Sequence, residues 1–323
     1  MDIIAEIGIN HNGDINKARQ MIRGAASVGC RVVKFQCHVV EDEYIPLARR
    51  IVPVNAKENI YDMMKRCSFT EEQEYWLKEY TELLGMRYLS TPFSREAADR
   101  LERMDVDAYK IGSGECNNYP LIKHIVSKGK PIILSTGMNT FREVDKAVEM
   151  IGSQLYALLH CVSEYPTPYD HVNLSRMLEM KERYHVRVGL SDHSIGIWTA
   201  LAAVALGADV VEKHFTSDKS WPGSDIPISI GVPELRALIS GADAIQKALG
   251  KPTGGHECLT ADFAFASVVT IRDIHPGEPF TVDNTWVKRP GTGISAEHYD
   301  FVLGKKAKCF IPKDSQVETS EIC

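Results

Sequence analysis

The chain has 323 residues, of which 44% are hydrophobic and 25% charged, and its formal net charge is −6. This composition is typical of a soluble globular protein, and a mildly acidic chain lacks the basic surface that nucleic acid or an anionic membrane requires. No apolar run approaches the roughly 20 residues of a transmembrane helix, and the first residues lack the basic and apolar regions of a signal peptide, so we expect a cytoplasmic protein without nucleic-acid or membrane partners.

Eight short runs rich in Val, Ile, Leu and Tyr recur through the first 215 residues, and we predict that they are strands. They cover residues 3–9, 31–36, 86–92, 107–113, 131–137, 156–161, 186–191 and 209–215. Helical patterns lie between them: one follows Asp14, a predicted N-cap, and continues to Gly29, and others cover 94–104, 141–151 and 196–206. Eight β-then-α units over about 250 residues predict a (β/α)8 TIM barrel; a doubly wound sheet is the alternative, but it usually contains fewer strands.

The chain also contains segments outside this repeating pattern. Residues 37–85 are too many for a simple connection and predict an extra loop followed by a helix. After residue 250 the periodicity changes, and the Gly- and Pro-containing residues 251–264 predict a linker. Short β-like runs separated by turn signals follow over 265–323. We therefore predict a catalytic barrel over residues 1–250 and a small, mostly β domain over 265–323.

Eight cysteines occur without any C-x-x-C pair. Buried free thiols are the expected state in a chain of this size, and a disulfide framework is the alternative. Cys161 follows His160, which suggests a nucleophile and its base. Neighbours on a strand point to opposite faces, however, and this argues against the pair.

In a TIM barrel the active site lies at the carboxyl ends of the strands. Here those ends carry Glu6; Lys34 and Gln36; Thr91; Lys110, Ser113 and Glu115; Ser135; Ser163 and Tyr165; Ser191 and His193; and Glu212 and His214. Two lysines inside a barrel mouth are costly unless they face anions, and hydroxyl groups add to an anion site. The pattern predicts a substrate with phosphate and carboxylate groups, unless both lysines extend to solvent and the hydroxyl groups only cap helices and turns.

The sequence SDHS at 191–194 resembles a catalytic triad, but adjacent residues cannot generally form the geometry of nucleophile, base and orienting acid. His193 and His214 instead lie 21 residues apart, the length of one βα unit, on neighbouring predicted strands. Two imidazoles in oxygen-rich surroundings suit Mn²⁺ or Mg²⁺ with water and substrate ligands, while hydrogen-bonded packing is the alternative. If a metal is bound, Asp192 is a candidate partner that supports its ligands.

Several segments together resemble the sialic acid synthases: EIGINHNG (6–13), VVKFQ (32–36), STPFSR (90–95), YKIGSGECNNYPL (109–121), ILSTGM (133–138), YPTP (165–168), GLSDH (189–193), EKHF (212–215) and WVKRPG (286–291). The resemblance covers nearly the whole chain and includes a C-terminal domain similar to the antifreeze-like (SAF) module. It implies condensation of phosphoenolpyruvate with an N-acetylated hexosamine, typically N-acetylmannosamine, with release of phosphate.

The resemblance also implies roles for individual residues. His193 and His214 are the implied ligands of a divalent metal, preferably Mn²⁺, with Mg²⁺ or Co²⁺ as alternatives, and Glu6 lies near the reacting centre. The implied phosphoenolpyruvate contacts are Lys34, Thr91, Lys110, Ser113, Ser135, Ser163 and Ser191. The implied sugar contacts are Gln36, Glu115, Tyr165, Asp225 and Arg289, the last supplied by the small domain of the other subunit of a domain-swapped homodimer.

One position departs from the family pattern. N-acetylneuraminate-specific synthases can have Asn in an NxYP sequence, and this chain has Ser163 in SEYP. Other family members also have Ser at this position, so it leaves the exact sugar open. The alternative products are a legionaminic-type acid and a deaminated (KDN-type) acid. A metal-dependent pyruvate aldolase is a further alternative, although it would not need two lysines for phosphate. An ice-binding role for the small domain conflicts with its charged residues, such as Lys288, Arg289 and Lys305.

Overall fold

The computed structural model describes residues 1–250 and 258–323, and the chain forms two compact units, Met1–Leu249 and Gly250–Cys323. No helix in these described ranges is long and apolar enough to cross a membrane. The first seven residues of the predicted linker, 251–257, lie outside the described residues. Its last seven form a helix, Cys258–Ala264, where the glycine- and proline-containing sequence has given way to helix formers such as Ala261 and Ala264.

The first unit is a closed barrel of eight parallel strands in sequence order, so the TIM-barrel prediction is confirmed. The strands are β1 Asp2–Gly8, β2 Val32–Cys37, β3 Arg87–Pro92, β4 Tyr109–Ile111, β5 Ile132–Ser135, β6 Leu155–Cys161, β7 Val188–Asp192 and β8 Val210–His214. β1 pairs with both β2 and β8, which closes the barrel. A doubly wound sheet is thereby excluded.

Helices surround the barrel. They are α1 Ile15–Ala26, α2 Val40–Glu43, α3 Ile60–Cys67, α4 Glu71–Leu83, α5 Arg95–Arg103, α6 Tyr119–Val126, α7 Phe141–Ile151, α8 Ser175–Tyr184, α9 Trp198–Ala205 and α10 Val232–Ala248. Asp14 caps α1 as predicted, because its carboxylate accepts hydrogen bonds from the backbone N–H groups of Asn16 and Lys17. The stretch 37–85 contains α2 and α3 in addition to the expected helix α4, because Val40, Met63 and Met64 pack into a small core of their own.

The barrel interior has an apolar lower layer and a polar upper layer. Ile4, Val32 and Val210 belong to a cluster of buried apolar side chains inside the barrel. Since side chains on one face of a strand recur every second residue, the next inward positions on these strands are Glu6, Lys34 and Glu212. The apolar layer fills the barrel, and the charged layer above it faces the carboxyl ends of the strands.

The second unit contains α11 Cys258–Ala264, β9 Ser267–Thr270, β10 Thr285–Lys288 and α12 Tyr299–Val302. β9 and β10 pair antiparallel, and short bridges such as Ile274 with Ile311 extend the β structure. The core of this unit consists of Val268, Ile274, Phe280, Val302, Ala307, Ile311, Val317 and Ile322. The predicted small β-rich domain is therefore present.

Seven cysteines are free in the described parts of the chain: Cys30, Cys37, Cys67, Cys116 and Cys161 are buried, and Cys309 and Cys323 are exposed. The side chain of Cys258 lies outside the described set. Within that set, the expectation of free thiols is confirmed.

Candidate active site

A cavity of about 280 Å³ opens at the carboxyl ends of the barrel strands. Twelve of the fifteen predicted site residues line it: Glu6, Lys34, Gln36, Thr91, Lys110, Ser113, Ser135, Ser163, Tyr165, Ser191, His193 and His214. Apart from glycines, the cavity has four further lining residues that the site prediction did not contain, Phe93, Met138, Cys161 and Glu212. The strand ends thus bring together residues from all eight strands or the loops that follow them.

Four buried charges form the floor of this cavity. The ammonium nitrogen of Lys34 lies 2.8 Å from a carboxylate oxygen of Glu6 and 3.7 Å from one of Glu212. The ammonium nitrogen of Lys110 lies 3.9 Å from Glu212. The side chains of Lys34 and Lys110 are only 4% and 2% exposed, so the alternative that both extend to solvent is wrong.

The surroundings shift the protonation of these groups. Burial raises the pKa of Glu6. The charge of Lys34 lowers it and the charge of Glu212 raises it, and the net pKa is about 7. Burial lowers the pKa of Lys34, but the carboxylates of Glu212 and Glu6 raise it more, so the lysine stays charged. Burial and the charge of Lys34 lower the pKa of Lys110, although Glu212 opposes them. The floor is therefore two lysines held close to two carboxylates, one of which titrates near neutral pH.

Hydroxyl groups extend this floor toward the loops after β4, β5 and β6. Lys34 donates to the Thr91 hydroxyl at 3.2 Å, and Lys110 donates to the Ser135 hydroxyl at 2.6 Å. The backbone N–H of Gly137 donates to the Ser113 hydroxyl at 3.0 Å. A Cβ at Gly137 would lie 2.5 Å from the hydroxyl oxygen of Ser163 and 2.9 Å from that of Ser113, so a larger residue there would displace these two hydroxyl groups. Lysines, serines and threonine together form a site that suits a phosphate or carboxylate.

The two predicted metal ligands face each other across neighbouring strands, with ring centroids 5.4 Å apart. Nδ1 of His193 forms a hydrogen bond of 2.8 Å with the carbonyl oxygen of Val162, so Nε2 is the ring nitrogen that this bond leaves free. Nδ1 of His214 is buried and has no hydrogen-bond partner among the described residues. The ring of Tyr165 stacks on the imidazole of His193, with ring centroids 4.2 Å apart, and thereby restricts the orientation of the imidazole.

This arrangement fits a divalent ion that is held by two imidazoles. Burial and the charge of His193 lower the pKa of His214, so its ring is neutral, which is the form that binds metals. Burial lowers the pKa of His193, but Cys161 and the Val162 carbonyl raise it to about 9, so a metal ion would have to displace a proton there. No cluster of three or more His, Cys, Asp or Glu side chains suited to a metal occurs in the described ranges. The remaining ligands would therefore be water or substrate oxygens.

Three predicted site residues do not line the cavity. Asp225 is buried behind it, with a carboxylate oxygen 3.7 Å from Nδ1 of His214. Glu115 ends a short 3₁₀ turn after β4 and accepts a hydrogen bond of 2.6 Å from Asn118. Arg289 lies in the second unit, exposed and directly after β10. The predicted sugar contacts of these residues remain predictions.

Asp192 does not support His193 as expected. Its side chain points to the opposite face of β7, where it pairs with Lys213 at 2.9 Å and accepts a hydrogen bond from Thr199 at 2.7 Å. Lys213 also donates to the backbone carbonyl of Ser194. Because each histidine is adjacent in sequence to one member of this buried ion pair, the pair ties together the ends of β7 and β8.

The sequence predicts one lining residue, Glu212, at the end of its strand, but the predicted site contains no role for it. Glu212 precedes His214 by two residues on a strand, so the two must share a face. Its carboxylate accepts a hydrogen bond of 3.1 Å from Ser191. Cys161 also faces the cavity, whereas His160 donates to the Val172 carbonyl oxygen at 2.7 Å on the other side of the strand, as strand alternation predicted.

Comparison with known proteins identifies the family. The NeuB family model matches residues 21–254, and the SAF domain model matches residues 265–322. An N,N'-diacetyllegionaminic acid synthase of Campylobacter jejuni is 40% identical over 319 residues, which are 94% of this chain and 95% of that protein. The human N-acetylneuraminate-9-phosphate synthase is 33% identical over 328 residues, covering 98% of this chain and 90% of the human protein.

A solved structure leads to the same conclusion. The N-acetylneuraminic acid synthetase of Leptospira borgpetersenii superposes with a TM-score of 0.72 at 33% identity, covering 78% of this chain and 86% of that one. A TIM barrel that matches the NeuB model, followed by a SAF domain and shared with relatives named as legionaminic and N-acetylneuraminate synthases, places the chain in the class of nonulosonic acid synthases. The chain belongs to the NeuB family.

Proposed function

We propose that this protein condenses phosphoenolpyruvate with N-acetylmannosamine and water to give N-acetylneuraminate and inorganic phosphate. The observation that carries the proposal is the cavity floor, where buried Lys34 and Lys110 lie among hydroxyl groups. Glu6 and Glu212 balance the two lysines in the free protein, so a bound phosphate and carboxylate would add negative charge where cations and hydroxyl donors are already placed.

The two substrates would occupy different parts of the cavity. Phosphoenolpyruvate would lie on the floor, against Lys34, Lys110 and the hydroxyl groups of Thr91, Ser113, Ser135, Ser163 and Ser191. The open-chain sugar would lie above it, beside Gln36 and Tyr165. This order places C3 of phosphoenolpyruvate against the aldehyde carbon, which is the proximity that a carbon–carbon bond requires.

We assign a divalent metal, preferably Mn²⁺, to His193 and His214, because the Val162 carbonyl engages only Nδ1 of His193 and because the buried Nδ1 of His214 has no hydrogen-bond partner in the described ranges. When bound, such an ion supplies a Lewis acid for the sugar aldehyde. Mg²⁺ and Co²⁺ are the alternatives.

The side chains of the floor would act on the charges that develop during the reaction. C3 forms a bond to the aldehyde carbon, whose oxygen gains a proton, and positive charge develops at C2. Water adds to C2 and loses a proton, and Glu6, with a pKa of about 7, lies where it can hold that proton. The C2–O bond to phosphate then breaks, and Lys34 and Lys110 stabilise the leaving phosphate.

A second candidate product is a legionaminic-type acid, made from a 2,4-diacetamido-trideoxy mannose. The 40% identity to the Campylobacter synthase named for N,N'-diacetyllegionaminic acid supports it. The residues of the floor would have the same roles with either sugar.

The test is phosphate release from phosphoenolpyruvate and Mn²⁺ with three sugars: N-acetylmannosamine, mannose and the 2,4-diacetamido-trideoxy mannose. We expect release with N-acetylmannosamine, and a higher kcat/KM with the diacetamido sugar would identify the legionaminic-type enzyme. Preference for mannose would indicate a KDN-type enzyme. Absence of release with all three sugars would refute the proposed function, and condensation of pyruvate without phosphate release would indicate an aldolase.

We also propose a cytoplasmic, domain-swapped homodimer in which Arg289 serves the barrel of the other subunit. Co-expression of the Arg289→Ala and His193→Ala variants tests it, since a swapped heterodimer contains one site in which both residues are intact. Recovery of activity above that of either variant alone is expected. If each barrel uses its own Arg289, no mixture recovers activity.

A further inference from the structure

A chain of hydrogen bonds leads away from the cavity to two residues that the proposed reaction does not use, His38 and Glu43. Gln36 Nε2 donates to Glu6 at 3.0 Å, and Gln36 Oε1 lies 3.1 Å from Nε2 of His38. Nδ1 of His38 lies 2.7 Å from a carboxylate oxygen of Glu43. The side chains of His38 and Glu43 are 3% and 7% exposed. The chain therefore connects the reacting centre with a buried imidazole–carboxylate pair.

Local structure holds this pair in place. His38 follows β2 and continues the face that Lys34 and Gln36 occupy. The short helix α2 returns the chain so that Glu43 meets His38, and Asp42 accepts a hydrogen bond of 2.8 Å from the backbone N–H of Glu96 in α5.

On its other side, the His38 ring stacks on Phe93, with centroids 4.6 Å apart and planes inclined by 9°. Phe93 lines the cavity itself. The imidazole is therefore fixed from three directions, by Gln36, by Glu43 and by this aromatic ring.

The hydrogen bonds have a defined direction because ionised carboxylates only accept. Glu43 requires a donor at Nδ1 of His38. Glu6, when ionised, requires the NH₂ group of Gln36, which leaves Gln36 Oε1 to accept from Nε2 of His38. In this arrangement both ring nitrogens of His38 donate, Nδ1 to Glu43 and Nε2 to Gln36. The opposite orientation of the amide would need a protonated carboxyl group at one end, and Glu6, with a pKa of about 7, is ionised only above neutral pH, so the arrangement described here is that of mildly alkaline solution.

We infer that His38, supported by Glu43, is a positioning residue that locks the Gln36 amide with its NH₂ group toward the cavity. Gln36 can then offer a bound molecule only a donor, so the sugar must present an oxygen acceptor there. The inference rests on the proposed function in one respect, namely that Gln36 contacts the sugar. It concerns neither the floor lysines nor the histidines assigned to the metal.

Steady-state kinetics test the consequence for the sugar. His38→Phe keeps the ring and its stacking on Phe93 but removes both hydrogen bonds, so Gln36 is free to rotate. We expect KM for the sugar to rise about tenfold, the equivalent of one hydrogen bond, while KM for phosphoenolpyruvate changes less than about twofold.

Glu43→Gln is the matched control. The amide that this substitution introduces can donate to Nδ1 of a neutral His38, whose Nε2–H still fixes Gln36, so KM for the sugar should stay within about twofold of wild type. An increase as large as that of His38→Phe would overturn the inference, because the charge of the imidazole and not the orientation of the amide would then matter. Equal increases in both KM values for His38→Phe would also overturn it, since they indicate a general structural defect.

Nitrogen NMR of histidine-labelled, metal-free protein tests the network without turnover. The His38 signals, identified by their loss in His38→Phe, should show two protonated nitrogens in wild type and one in Glu43→Gln. The spectra are recorded above pH 7, where Glu6 is ionised, and a neutral His38 in wild type under that condition would overturn the inference. If no sugar supports phosphate release, the proposed function fails, but the NMR result still decides the state of His38. If phosphate is released and His38→Phe leaves KM for the sugar unchanged, the inference about His38 fails and the proposed function stands.

Discussion

Substitutions on the cavity floor should move phosphoenolpyruvate affinity in opposite directions according to the charge removed. The floor holds two lysines and two carboxylates, Glu6 and Glu212, whose formal charges cancel. Lys110→Met leaves a net charge of −1, and Glu212→Gln leaves +1. A site built for an anion should respond to this sign.

Two energies set the expected change in Kd for phosphoenolpyruvate: the charge–charge interaction on the floor and the free energy of one charge-assisted hydrogen bond. At 3.9 Å from Glu212, the Lys110 charge interacts with a unit charge by about 4 kcal/mol at an effective dielectric constant of about 20. Loss of a charge-assisted hydrogen bond costs about 2 kcal/mol net, so Lys110→Met should raise the Kd for phosphoenolpyruvate about 30-fold. Glu212→Gln removes a repulsive charge and should lower that Kd about threefold or more.

Isothermal titration calorimetry without sugar measures these affinities, and circular dichroism establishes that each variant is folded. Lys247→Met is the control, because this lysine is 76% exposed and pairs with Asp243 on α10, away from the residues that line the cavity. It should bind phosphoenolpyruvate as wild type does. A folded Lys110→Met variant with a Kd within twofold of wild type, together with weaker binding by Glu212→Gln, would refute the electrostatic reasoning.

Three further predictions concern the metal, the pH dependence and the barrel. His193→Ala should fold and lose Mn²⁺ binding in calorimetry, whereas the exposed control His171→Ala should keep it; retained binding by the first variant contradicts the ligand assignment. Burial raises the pKa of Glu74 from 4.5 to about 7, so between these pH values the native state keeps a proton that the unfolded state has lost, and the free energy of unfolding falls as pH rises. Glu74→Gln should remove up to about 1.4 kcal/mol per pH unit of that slope in urea unfolding, and an unchanged slope contradicts the assignment. Gly189→Ala should give insoluble or unfolded protein on expression, because its Cβ would overlap the backbone carbonyl of Val210; a folded variant of wild-type stability would show that β7 and β8 can separate.

Much of the fold was predictable because its elements depend on local patterns. The eight strands lie where apolar runs indicated them, and Asp14 caps α1. The helices α3 and α11 were not predicted, since short helices depend on neighbours that the sequence does not identify: Met63 and Met64 are buried in a tertiary cluster outside the barrel wall.

The site was predictable where strand alternation determines direction, and less so where loops do. Lys34, Gln36 and His214 face the cavity because each lies on the inward face of a strand. Alternation also indicates Glu212, and it explains why Asp192, one residue before His193, faces away. Glu115 and Asp225 follow strands through turns, where no period fixes the direction of a side chain.

The most direct test of the proposed reaction follows the oxygen between C2 and phosphorus of phosphoenolpyruvate. With ¹⁸O in that bridge, N-acetylmannosamine and Mn²⁺, mass spectrometry should find the label in the released phosphate, with one labelled phosphate for each nine-carbon 2-keto acid. This result is expected if water adds to C2 and the C2–O bond breaks. Label in the 2-keto acid, or release of phosphate without any sugar, would contradict the account.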